Sequence, residues 1–151
     1  MTSEHSETKL YVGYGATHSP MEFRDKVEEL REKLRSEYRL LDFFGMVGGT
    51  ASQVFETDIL QCVPSSDLVV IICDYPSFGA GWEMTHAVDI GKPTLALANV
   101  ASNVSRLVLG AAEHMPNFAF ETYTDLLVDA PRLIDGFTAR PSLSRPPSRL
   151  L

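Results

Sequence analysis

The chain has 151 residues, 44% of them hydrophobic, which is enough for one compact domain with its own core. Its formal net charge is −7. The last 14 residues carry three arginines and no acid, so the rest of the chain carries −10, which disfavours binding to polymeric nucleic acid. Residues 1–9 are polar, and no apolar run approaches the roughly 20 residues that cross a bilayer, so we expect a soluble, cytoplasmic protein.

Strand and helix patterns alternate along the chain. Apolar runs predict strands at residues 10–14, 39–44, 67–73, 94–98 and 118–121. Helical spacing predicts helices beginning at Ser19 and Thr50, and further helices over 82–90, 104–109 and 125–134. This order predicts a doubly wound α/β domain over residues 1–137, a flavodoxin-like or Rossmann-like three-layer sandwich with a five-stranded, mostly parallel sheet. Residues 138–151, rich in Pro, Ser and Arg, read as a disordered tail.

Local signals place the ends of three helices. Ser19 followed by Pro20 has the pattern of an N-cap and first helical residue, and Thr50 with Gln53 forms a possible capping box. Gly91 suits the left-handed residue that ends a helix. We interpret Cys62 and Cys73 as reduced core thiols, and Phe43, Phe44 and Trp82 as core aromatics.

Glu83 is the strongest candidate for a nucleophile. Residues 67–83 read as a buried strand, a glycine loop and a carboxylate in the first turn of a helix, where Gly79 and Gly81 would let the backbone bend sharply. In a parallel sheet this carboxylate would face the crevice at the carboxyl ends of the strands. The alternative is an acid that only complements the helix dipole.

Asp58 is the second candidate acid. On an ideal helix opened by Thr50 it lies among the apolar residues Ala51, Val54, Phe55 and Cys62. A buried carboxylate is expensive without a partner, so we expect a hydrogen-bonding role or a raised pKa. Two converging carboxylates suit chemistry at a glycosidic bond.

Two glycine-bearing loops lie at the predicted switch point of a sheet in the order 2-1-3-4-5. Their candidate substrate-binding residues are Gly13, Tyr14, Gly15, Thr17 and His18 in the first loop and Ser77, Gly79 and Gly81 in the second. Neither loop fits a dinucleotide fingerprint, and the chain contains no P-loop motif. Glu83 and His86 have the spacing of a carboxylate metal site, but a second such motif is missing, so we predict neither metal nor cofactor.

An ordered set of motifs resembles the nucleoside 2-deoxyribosyltransferase family, and within it the 2′-deoxynucleoside 5′-phosphate N-hydrolases. The set comprises Asp58, Asp67, the run Pro-Ser-Phe-Gly-Ala-Gly-Trp-Glu over 76–83, His86-Ala87, Lys92-Pro93 and residues 104–112. The resemblance implies that Glu83 attacks the anomeric carbon, Asp58 manages the proton of the departing base, and Tyr11 orients the nucleophile. It also implies that Ser77 binds phosphate and that Ser105 reaches the site of a neighbouring subunit, hence a homodimer.

Two departures from the family pattern bear on the substrate. Phosphate hydrolases that resemble this chain carry an arginine in the loop after the first strand, whereas residues 15–18 here contain none. The transferases tend to carry an acid six residues before the nucleophile, where this chain has Ser77, and a hydroxyl can donate to a phosphate that an acid would repel. The prediction is an N-glycosidase acting on a small nucleoside or nucleoside monophosphate. A base-exchanging transferase and a non-catalytic nucleotide sensor are the alternatives, and a structural scaffold is less favoured.

Overall fold

A computed structural model describes residues 7–42 and 49–140. Its core is a five-stranded sheet in the order β2-β1-β3-β4-β5, in which every neighbouring pair is parallel. The strands are β1 (Lys9–Tyr14), β2 (Arg39–Leu41), β3 (Leu68–Ile72), β4 (Thr94–Asn99) and β5 (Phe118–Tyr123). The predicted fold class and strand order are therefore confirmed.

Helices cover both faces of the sheet. They are α1 (Met21–Leu34), α2 (Ala51–Phe55), a π-helical segment (Glu56–Cys62), α3 (Val63–Ser65), α4 (Phe78–Asp89), α5 (Arg106–His114) and α6 (Leu126–Thr138), with a 3-10 turn at Ala16–His18. The larger core cluster joins one sheet face to α1 and α6, while α3, α4 and α5 pack on the other face. None of the helices in the described ranges is long and apolar enough to cross a membrane.

Successive side chains of β1 point to opposite faces of the sheet, as the strand pleat requires. Leu10, Val12 and Tyr14 join the α1 and α6 core, whereas Tyr11 packs with residues of α3 and α4. Gly13, two residues beyond Tyr11, therefore shares the α4 face. This alternation decides which residues of the first loop can meet Glu83.

Several predicted helix ends need correction. Pro20, not Ser19, is the N-cap of α1, and the Ser19 hydroxyl instead donates to the Gly15 carbonyl at 2.8 Å. The capping box of Thr50 and Gln53 is confirmed, as is the left-handed Gly91, with φ 85°. The closing helix α6 extends to Thr138, four residues beyond its predicted end. Residues 141–151 lie outside the described ranges, so the disordered tail stays a prediction.

The start of α4 differs most from the prediction. The helix begins at Phe78, four residues earlier than predicted, because the Ser77 hydroxyl caps it by accepting from the Ala80 amide at 3.1 Å. Gly79 and Gly81 are therefore helical, and the sharp bend predicted for them is wrong. Trp82, predicted to be core, is 62% exposed. Phe43 and Phe44 lie outside the described residues.

Candidate active site

Glu83 and Tyr11 form the centre of the candidate site. Tyr11, fully buried at the middle of β1, donates its hydroxyl to Glu83 Oε2 at 3.0 Å. A Cβ added to Gly13 would collide with the same carboxylate oxygen and would lie 2.9 Å from Ile71 Cδ1. Glycine is thus required at position 13 because Glu83 approaches the strand so closely. Since α4 begins at Phe78, its second turn carries this carboxylate, and not the first turn as predicted.

Asp58 brings a second acid to this place. It is 4% exposed and lies in the π segment that continues α2. Burial is the largest cause of the raised pKa values of Glu83 and Tyr11, and the charge of Asp58 raises both further, so all three side chains share one electrostatic environment. Single-turn π segments recur at functional sites, because the inserted residue changes where the following side chains point.

The apolar stripe expected around Asp58 is only partly present. Ala51 and Phe55 are exposed, and the π geometry replaces the regular 100° spacing from which the stripe was predicted. Asp58 and Ile59 are the buried residues of the segment. The acid itself is buried as expected, whereas Val54 and Cys62 on the predicted stripe are only half-buried.

The surroundings of Glu83 keep its carboxyl close to half ionised at neutral pH. Burial, the largest cause, and the Asp58 charge together raise the pKa of Glu83 to about 7 against the opposing effect of the Tyr11 hydrogen bond. Burial, followed by the charges of Asp58, Asp42 and Glu83, also raises the pKa of the Cys62 thiol. The thiol of Cys62 donates to the Asp42 carbonyl at 3.5 Å and is therefore a neutral neighbour of the two acids.

A separate cleft of about 1010 Å³ lies between α4 and α5. Ser77 and Ser105, which cap these two helices, both line it, together with His18, Gly81, Trp82, Asn103 and residues of both helices. Glu83 is not among the residues that line this cleft, although Trp82 and Met84, its neighbours on α4, are.

The remaining predicted binding residues are dispersed. Tyr14 is buried in the opposite core, where its ring meets Phe23 edge to face. Gly15 packs against the Tyr75 carbonyl so closely that a Cβ would collide with it. Thr17 is exposed on the 3-10 turn, and nothing crowds a Cβ at Gly81, so neither position shows a constraint from the site.

No three His, Cys, Asp or Glu side chains in the described part of the chain are arranged to hold a metal ion. His86 and Glu83 share α4, but only His86 lines the cleft. The groups that the site brings together are two carboxylates and a phenol.

Comparison with solved structures defines the class of fold. A CMP N-glycosidase from Clostridium botulinum superposes with a TM-score of 0.65 at 16% identity, covering 83% of this chain and 99% of that one. A 2-deoxyribosyltransferase from Leishmania mexicana gives a TM-score of 0.60 at 12% identity, covering 85% and 97%. The chain thus has the α/β fold of the deoxyribosyltransferase-like proteins.

A sequence relative sharpens the class. A protein of Thermofilum pendens, named as a candidate 2′-deoxynucleoside 5′-phosphate N-hydrolase, is 35% identical over 81 residues. The match covers 52% of this chain and 54% of that protein, about half of each. No protein-family model matches. The resemblance to the nucleoside 2-deoxyribosyltransferase family and its N-hydrolases is confirmed, and the proteins that carry it are named as enzymes.

Sequence reasoning missed two features beside the site. Phe55 and Trp82 meet edge to face with ring centroids 6.2 Å apart, and both are substantially exposed. Their proximity to Asp58 and Glu83 in sequence was the available signal. The second feature is Arg31, which lies with the apolar residues Val27, Leu30 and Leu34 on the buried i, i+3, i+4, i+7 stripe of α1.

Proposed function

We propose that this protein is an N-glycosidase that cleaves the bond between base and sugar in a nucleoside 5′-monophosphate or nucleoside, with Glu83 as nucleophile. The observation that carries the proposal is the hydrogen bond from Tyr11 to a partly buried Glu83 with a second buried acid, Asp58, beside it. Paired carboxylates in different environments are the arrangement that glycosidic-bond cleavage uses.

The first step forms a covalent intermediate. The ionised Glu83 attacks the anomeric carbon, the bond from that carbon to the base nitrogen breaks, and its electron pair leaves with the base. Asp58 gives a proton to the departing base, directly or through water. Tyr11 holds Glu83 Oε2 through its hydroxyl and so leaves Oε1 to attack.

The second step releases the sugar. Water attacks the anomeric carbon of the glycosyl ester, its proton passes to the Asp58 carboxylate, and the bond to Glu83 breaks. Both acids return to their starting protonation, and the sum of the steps is hydrolysis. A second base in place of water would give the transferase reaction instead.

Phosphate recognition is assigned to the cleft between α4 and α5. Ser77 and Ser105 each cap a helix there, and hydroxyls together with helix N-terminal amides favour an anion. The family resemblance supports a homodimer in which Ser105 serves the partner's site. The exposure of Phe78 and Leu107, 98% and 84%, supports the same face as the contact between subunits.

A non-catalytic nucleotide sensor is the second candidate, because a fold alone does not fix an activity. The proximity of Asp58 and Glu83 favours the enzyme, since a sensor does not need two adjoining acids. A cytoplasmic location is supported by Cys62 and Cys73, which are both free thiols.

The test is a panel of ribo- and deoxyribonucleosides and their 5′-monophosphates, with free base measured by chromatography. We expect release from at least one member, and an adduct on Glu83 by mass spectrometry when a slowly hydrolysed 2-fluoro sugar analogue is used. Labelled free base added to the reaction separates transfer from hydrolysis. Saturable binding of a nucleotide with no base release would favour the sensor and contradict the enzyme.

A further inference from the structure

Arg31 is a buried cation on α1, only 4% exposed, and it binds two points on the chain. One guanidinium nitrogen donates to the Val12 carbonyl at 3.1 Å and another to Asp42 Oδ1 at 2.8 Å. A weaker ion pair joins it to Glu28 at 3.7 Å. Withdrawing a guanidinium from water is costly, and an apolar side chain could fill the same space, so its polar contacts need a reason.

The reason lies at the boundary between β1 and β2. Among the described residues, the register of these two strands ends at the pair Tyr11 and Leu41. Just beyond this pair, the buried Val12 carbonyl accepts from Arg31, and the same guanidinium binds Asp42, the residue that follows β2. Arg31 therefore joins β1 to the end of β2 and satisfies a buried carbonyl.

Both points held by Arg31 connect directly to the acids. Val12 stands between Tyr11, which donates to Glu83, and Gly13, against which Glu83 packs. Asp42 follows β2, and its carbonyl accepts the thiol of Cys62 in the π segment that carries Asp58. Arg31 thus contacts β1, the strand whose Tyr11 binds Glu83. It also contacts Asp42, whose carbonyl binds the π segment that carries Asp58.

We propose that Arg31 is a positioning residue that sets the geometry between the Tyr11–Glu83 pair and the segment of Asp58. This proposal rests on the function proposed above and adds a residue that does not itself touch the substrate. Asp42 is its partner, and we call the ion pair of Arg31 and Asp42 the clamp. Although partial burial opposes ionisation, the guanidinium groups of Arg35 and Arg31 hold the pKa of Asp42 below its ordinary value, so the clamp stays charged.

Arg35 provides a matched control. It is the C-cap of α1, is partly exposed, donates to the same Asp42 oxygen at 2.7 Å and forms an ion pair with Glu32 at 3.4 Å, whereas the Val12 carbonyl accepts from Arg31. Arg31→Lys and Arg35→Lys therefore make the same chemical change at two cations of Asp42. A lysine keeps the charge but lacks the planar fork that binds two acceptors in fixed geometry.

We expect Arg31→Lys to lower kcat for base release about 10- to 100-fold with KM changed less than about twofold, because small displacements of reacting groups are costly. Arg35→Lys should stay within about twofold of the parent in both constants. Asp42→Ala removes an exposed acceptor of the Arg31 guanidinium and should also lower kcat. Thermal unfolding of each variant reports whether the fold is intact.

A second measurement does not need activity. The titratable groups beside Glu83 are Tyr11 on β1 and Asp58 and the neutral thiol of Cys62 on the π segment. Burial raises the Glu83 pKa, and the Tyr11 hydrogen bond lowers it. A displaced strand end weakens that bond, so carbon NMR should show the Glu83 carboxyl titrating at higher pH in Arg31→Lys than in the parent or Arg35→Lys.

The outcomes separate the two proposals. If Arg31→Lys folds and matches Arg35→Lys in kcat and in the Glu83 titration, the positioning role is overturned. If Arg31→Lys does not fold, a folded Asp42→Ala protein that matches Arg35→Lys in both measurements overturns it. The parent protein could release no base while its Glu83 titration moves only when the clamp is lost. That result overturns the proposed function and leaves the role of Arg31 in holding the site.

Discussion

Two regions along α4 contrast in what they offer a ligand. In the first, which we call the acid side, Glu83, Tyr11 and the buried Asp58 make a small and tightly packed group of ionisable side chains. In the second, the cleft side, a cleft of about 1010 Å³ is lined by hydroxyls, helix ends and exposed apolar side chains such as Trp82 and Leu107. Ionisable groups are crowded where bonds would break, and the open cleft offers neutral donors to an anion.

This contrast assigns different energetic roles to the two sides. Burial raises the pKa of Glu83 to about 7, and this penalty on the ionised form is tolerated at a group that must react. The cleft residues Ser77 and Ser105 instead stabilise their own helices as caps. Changes on the acid side should therefore alter the rate, and changes on the cleft side should alter the affinity.

Glu83→Ala is the strongest test of the acid side. We expect base release to fall by about 10⁴-fold or more, because the nucleophile is removed. The fold should persist, since the lost side chain is a carboxylate that burial disfavours. Steady-state assays with the best substrate of the panel measure the change, and Glu29→Ala, at an exposed acid of α1, is the control. A fully active Glu83→Ala protein ends the nucleophile assignment.

Asp58→Asn should lower the rate about 10²- to 10⁴-fold for substrates with poor leaving groups, and less for good ones, because an amide cannot protonate the departing base. The dependence of rate on leaving-group basicity and on pH measures this. Glu56→Gln, at an exposed acid of the same π segment, should behave as the parent. If Asp58→Asn retains the parental rate and pH profile, the acid has only a structural role.

The sequence was sufficient for the sheet, because β3 is an unbroken run of buried aliphatic residues and the alternation of elements leaves few topologies. It was also sufficient for the proximity of Asp58 and Glu83, through the family motifs. The start of α4 was misplaced because Gly79 and Gly81 have low helix propensity, while the Ser77 cap and the packing of Ala80 outweighed it. The π segment has no periodic signature in one sequence, and so the exposure of Phe55 was not predicted.

The cleft side is tested through its two serines. Ser77→Ala and Ser105→Ala should each raise KM about tenfold for a monophosphate and much less for the unphosphorylated nucleoside, which corresponds to the loss of one hydrogen bond to a charged group. Ser77→Asp keeps a helix-capping side chain but adds a negative charge, so it should weaken binding of the monophosphate more than Ser77→Ala does. Equal effects on both substrates would exclude phosphate from the cleft.

Mixing variants decides which subunit supplies Ser105. If it serves the partner's site, Ser105→Ala mixed with Glu83→Ala should form heterodimers with one intact and one doubly defective site, and the low KM for the monophosphate should return. If Ser105 acts within its own chain, mixing should restore nothing. A protein that is monomeric at the assay concentration, by sedimentation, contradicts the shared site.

The smallest effect is expected at Tyr11, and it sharpens the contrast because it should appear in the pH profile. Tyr11→Phe removes the hydrogen bond that lowers the Glu83 pKa, so the pKa should rise above about 7. One hydrogen bond to a charged group corresponds to a rise of about one pH unit. Because the proposed nucleophile must be ionised, activity should decline as pH falls through this pKa, and the loss in Tyr11→Phe should be about fivefold at pH 7 and vanish near pH 9. Rates measured from pH 5 to 9 test this, and a loss of equal size at every pH would mean that Tyr11 acts on the transition state and not on the ionisation of Glu83.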